Sequence, residues 1–94
     1  VEKGDMPISG SPKKIAVDVA QGYQSFTHSS LRQYTSDDLK VLLFNLNLVL
    51  REIRGKQIPL EDIEGLKDKN NKLRRLNQAV QLIQAFANLR GFKI

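Results

Sequence analysis

Cysteine and tryptophan are both absent from these 94 residues, histidine and methionine occur once each, and aromatics make up only 6%. Each absence narrows what the chain can be. Without cysteine there is no disulfide framework, which a secreted domain of this size usually needs, so a reducing compartment such as the cytoplasm is the expectation. A thiolate metal site and a cysteine nucleophile are excluded outright. With so few aromatics, the core has to be mostly aliphatic. No run reaches the ~18 apolar residues of a membrane span, and no signal-like segment opens the chain. The chain begins at Val1 and not at methionine. Met6 can be a native start preceded by vector residues, and a leader removed before Val1 is a further possibility, which leaves a processed exported protein open beside a cytoplasmic one.

What remains is the composition of a folded domain. Hydrophobic residues are 40% and charged residues 27%, a balance that suits a globular fold. A chain this short buries only about 60–65% of its unfolded surface, so one thin core is expected. The formal net charge of +5 favours anionic partners, nucleic acid or acidic protein among them.

Along the chain, residues 1–10 carry Gly4, Pro7, Ser9 and Gly10 and read as a flexible arm. Residues 11–26 allow two readings. Ser11-Pro12 is a helix opening, and Ile15, Val19 and Phe26 share a face at 3.6-residue spacing with Ala16, Ala20 and Tyr23 beside them. Ile15, Val17 and Val19 also alternate and are β-branched, as in a strand turning at Gln21-Gly22. The helix is the preferred reading. Ser29 or Ser30 can cap one helical turn over residues 31–34.

Two long helices dominate the rest. Thr35, Ser36, Asp37 and Asp38 give caps and early negative charge to a helix over about 36–54. Leu39, Leu42, Leu43, Leu46, Leu50 and Ile53 form its core stripe, and Gly55 is the stop. Pro59 reads as the first residue of a second helix over about 60–90, with Glu61, Asp62 and Glu64 in its first turn and Gly91 beyond its end. Its apolar spacing runs Ile63, Leu66, Leu73, Leu76, Val80, Ile83, Ala87, and Asn70-Asn71 is the place where it would bend. The expected fold is all-α: an antiparallel pair of long helices, a helical hairpin, with a short N-terminal helix or hairpin, in a single domain over 11–94.

Catalytic chemistry finds little support. His28 is the single histidine and lies among Ser25, Ser29 and Ser30, but that is ordinary turn composition, and a triad needs an oriented base in space. Glu61, Asp62 and Glu64 are explained by a helix N-terminus. Gly4–Lys14 lacks the order of a phosphate loop. The chain is therefore expected to be non-enzymatic, with no cofactor, no metal and no small-molecule substrate.

Two features are left over. The first is a second apolar stripe: Val41, Phe44 and Leu48 lie opposite the core stripe of the 36–54 helix, and Leu82 and Leu89 fall off the stripe of the second helix. A helix apolar on two sides is normally buried on both. Either residues 11–34 fold over it, or it is a protein-binding surface, for a second copy in a four-helix bundle or for another protein's helix. The second feature is a polar face of the 60–90 helix bearing Lys67, Asn70, Asn71, Arg74, Asn77, Gln78, Gln81 and Asn88, with Lys69, Lys72 and Arg75 around it. Arg, Asn and Gln can read base edges and Lys neutralises phosphate, so a nucleic-acid-binding regulator is the alternative to a protein-binding, self-associating regulator or adaptor.

Overall fold

The computed structural model describes residues 11–92. Four helices occupy them: α1 (Pro12–Gln21), α2 (His28–Leu31), α3 (Ser36–Arg54) and α4 (Ile63–Arg90). No strand occurs among the described residues. The expected arm over residues 1–10 lies outside them.

The ambiguous N-terminal segment is a helix. The Ser11 hydroxyl accepts the Lys13 amide at 3.2 Å, and Pro12 opens the first turn. Burial follows the helical period: Ile15, Ala16, Val19 and Ala20 are buried while Val17 stays 36% exposed. A strand would have placed Val17 with Ile15 and Val19. Gly22, at φ +85°, closes the helix in the left-handed region, its amide donating to Val19 O at 3.1 Å and the Tyr23 amide to Asp18 O at 2.8 Å.

The short turn that follows starts earlier than residues 31–34. Thr27 caps it, accepting the Ser30 amide at 3.1 Å while Ser30 Oγ accepts the Thr27 amide at 2.9 Å. Threonine one residue before the histidine, with Ser30 at the third helical position, makes the reciprocal box.

α3 matches the expected bounds. The Asp38 amide donates to Thr35 Oγ1 at 3.1 Å, and the Thr35 amide to Asp38 Oδ2 at 3.0 Å. Leu39, Leu42, Leu43, Leu46, Leu50 and Ile53 are all buried, and Val49 joins them. Gly55 is the stop, but at φ −75° it does not use glycine's left-handed freedom. The Lys69 ammonium supplies the missing termination, donating to Lys56 O at 2.7 Å and Arg54 O at 3.4 Å.

α4 begins at Ile63, so the expected start at Pro59 is corrected. Pro59 sits in a turn whose carbonyl accepts the Asp62 amide at 3.0 Å, and Asp62 is the cap, its carboxylate accepting the Gly65 amide at 2.9 Å. A cap side chain decides the boundary here over the helix-opening preference of proline. The helix runs without a break through Asn70-Asn71. Its 28 residues account for most of the 47 Å long axis of the molecule.

α1, α3 and α4 pack against one another, and α2 packs on α4. The two long helices therefore do not stand as a bare pair: α1 completes a three-helix core. α4 meets α1, α2 and α3 and so buries a wider arc than its apolar spacing indicated. Ala79 and Phe86 are buried, whereas Ile63, read as part of the stripe, is 63% exposed at the first residue of α4.

Candidate interaction surfaces

On α3, burial divides the two apolar stripes sharply. The core stripe is sealed by α1 and α4. On the opposite face Phe44 is 68% exposed, with Val41 and Leu48 half-buried beside it. α1 reaches the edge of this face through an ion pair, Lys13 Nζ to Glu52 Oε2 at 3.2 Å, and stops there. Asn45, the polar interruption of the stripe, turns its amide back to Val41 O at 2.8 Å and so satisfies itself within its own helix. Residues 11–34 thus cover the core stripe of α3 and leave Phe44 in solvent.

The two leucines of α4 part company. Leu82 packs against the core and lines a cleft, while Leu89 is 76% exposed near the end of the helix. Neither shares a helix with Phe44.

The polar face of α4 is solvated, with Lys67, Asn70, Arg74, Asn77, Gln78, Gln81 and Asn88 exposed and Asn71 half-buried. Its flanking cations are used inside the molecule. Lys69 binds the carbonyl of Arg54, the last residue of α3, and that of Lys56 just beyond it. Arg75 Nη1 donates to Ala20 O at 2.9 Å, binding a carbonyl that ends α1. Lys72 pairs with Asp68 at 2.9 Å. Two basic residues, Lys67 and Arg74, are exposed on the face itself without an ion pair among the described residues.

A cleft of about 480 Å³ lies between the end of α1, the 22–26 segment and α4. Val19, Phe26, Ala79 and Leu82 give it an apolar lining, and Arg75 and Gln78 a polar rim. It had no signal in the sequence, because its walls come from Val19–Phe26 and Arg75–Leu82, segments far apart in the chain.

His28 has a packing partner: its ring meets the edge of Phe86 at 5.7 Å and 75°. The Arg90 guanidinium lies 5.6 Å from the ring centres of both Phe86 and Phe92. Among the described residues no three His, Cys, Asp or Glu side chains cluster as metal ligands do, and no helix is long and apolar enough to cross a membrane. Tyr34 is buried, and burial first and the nearby Asp38 carboxylate second push its pKa above the ordinary 10.0, with a Gln33 hydrogen bond pulling the other way.

No known family model, no curated protein and no solved structure matches this chain.

Proposed function

We propose that this chain is a non-enzymatic protein-interaction module, a small regulator or adaptor, and that it works through the outer face of α3. The observation that carries the proposal is Phe44: the largest side chain on α3 stands in solvent at the middle of a helix whose other face is fully packed. Scattered exposed apolar residues are normal on any protein. Phe44 differs in having Val41 and Leu48 on the same stripe, which is how one helix presents anchors to another. In this reading α3 and α4 form an antiparallel pair, supported by Lys69, near the start of α4, reaching the carbonyls at the end of α3. The chain acts in a reducing compartment, in keeping with its lack of cysteine.

The nucleic-acid alternative draws less support. Each neutralised phosphate contributes about −0.9 to the salt slope on B-DNA. With Lys69, Lys72 and Arg75 engaged internally, Lys67 and Arg74 alone would give a slope of only about −2, too small for tight binding.

A photo-crosslinking side chain at position 44, compared with one at position 77 on the polar face of α4, tests the proposal in native cell extract. Protein adducts from position 44 and none from 77 are expected. Nucleic-acid adducts from 77, with nothing from 44, would overturn it.

A further inference from the structure

The outer face of α3 is more than an apolar patch. Asp37, Val41, Phe44, Leu48 and Arg51 follow one another at spacings of 4, 3, 4 and 3 residues, the repeat of a coiled-coil seam. All five lie outside the buried face, with Asp37, Phe44 and Arg51 exposed and Val41 and Leu48 half-buried. The charges are placed symmetrically about Phe44, an acid seven residues before it and a base seven residues after, while Val41 stands three before and Leu48 four after. Asp37 and Arg51 form no ion pair among the described residues.

We infer that the occupant of this face is a second copy of the same chain, its α3 running antiparallel about a two-fold axis through Phe44. This rests on the reading of α3 as the interaction face and names its partner. The charges select both the partner and the direction. In the antiparallel pair each Asp37 lies opposite Arg51 of the other copy, twice over, while Val41 and Leu48 face each other with a stagger of one residue, about 1.5 Å, on either side of the two Phe44 rings. A parallel pair would set Asp37 on Asp37 and Arg51 on Arg51. Sliding the antiparallel pair until Val41 meets Phe44 would put Asp37 against Leu48, desolvating a carboxylate with nothing to pair it. Of these three arrangements the register centred on Phe44 is the one free of such conflicts, and it pairs its charges under two-fold rotation, as an isologous interface requires.

The seam spans fourteen residues of rise, about 21 Å. Such a helix pair buries less than the ~800 Å² per partner of a standard interface. The dimer is therefore weak and reversible, with a Kd on the order of tens to hundreds of micromolar.

Sedimentation equilibrium from about 10 µM to about 1 mM on the wild type, Phe44→Asp, Asp37→Arg and Arg51→Asp tests this, with circular dichroism confirming that each variant stays helical. The wild type should shift from monomer to dimer, and Phe44→Asp should remain monomeric. Each charge reversal turns two attractive contacts repulsive and should weaken association about tenfold or more. Mixing Asp37→Arg with Arg51→Asp should restore it as a heterodimer, because every contact across the axis is then opposite in sign. A wild type that stays monomeric, or reversals that leave association unchanged, or a mixture that fails to associate, would each overturn the inference. If a monomeric wild type still bound another protein through position 44, the interaction-face reading would stand and the self-association would not.

Discussion

Replacing Arg75 by alanine removes a contact that joins two helices 55 residues apart in sequence. The guanidinium donates to Ala20 O at 2.9 Å and lies against Gly22, where a Cβ would come within 3.2 Å of its central carbon. A hydrogen bond from a charged donor contributes about 1.5–3 kcal/mol. The cation also faces the negative end of α1, worth about 0.3–1 kcal/mol near the surface. Because the side chain is only part-buried, the lower ends apply, and a loss of about 2 kcal/mol is expected. That is a large share of the ~5–10 kcal/mol available to a domain of this size, and corresponds to a drop in Tm of roughly 8–16 °C. Arg75→Met, which keeps the apolar stem, should retain most of the loss. The adjacent Arg74 is exposed, and Arg74→Ala should change stability by no more than about 0.5 kcal/mol. Urea denaturation of the three variants checks the contrast. If Arg75→Ala were as mild as Arg74→Ala, the docking of α1 on α4 described above would be wrong.

Other perturbations have equally definite outcomes. Phe44→Asp places a charge on a side chain that is 68% exposed, so thermal melts should show less than about 1 kcal/mol of destabilisation; collapse of the fold would mean that α1 covers this face after all. Asp38→Ala breaks the reciprocal cap with Thr35 and should cost about 1–2 kcal/mol by urea titration; no change would remove the cap as the reason α3 begins at Ser36. The raised pKa of Tyr34 makes stability depend on high pH. Below the ordinary value of 10.0 the tyrosine is neutral in both states and its contribution is fully present; above 10.0 the unfolded chain ionises while the folded chain resists, so stability falls until the folded value is passed. Thermal melts across that range should show Tyr34→Phe losing less stability than the wild type, and parallel curves would refute the assignment.

The parts of the fold that were readable from the sequence are those whose causes are local. α3 could be bounded closely because Thr35 and Asp38 cap it three residues apart and six apolar side chains repeat on one face. The segment at Ile15–Val19 could not be settled by pattern, since three β-branched positions alternate within a helical period; contact with both α3 and α4 decides it. The start of α4 was misplaced because Pro59 and Asp62 compete as openers and only the hydrogen bond to Gly65 shows which one caps. The burial of Ala79 and Phe86 escaped notice because α4 packs on three neighbours at once. The roles of Lys69 and Arg75 were out of reach for the same reason: their acceptors lie 13 to 55 residues away. Phe44 stood out in the sequence as surplus to the core, and the structure leaves it in solvent. The alternation of Asp37 and Arg51 around it gained meaning once that face was known to be open.

The most direct measurement is a concentration series of amide proton–nitrogen spectra of the wild-type protein, from about 20 µM to about 1 mM, the range in which a weak helix pair forms. The account predicts shifts that grow with concentration and gather on Asp37, Val41, Phe44, Leu48 and Arg51, with the polar face of α4 unmoved. Spectra that do not change, or changes that gather on Lys67–Gln81 instead, would contradict it.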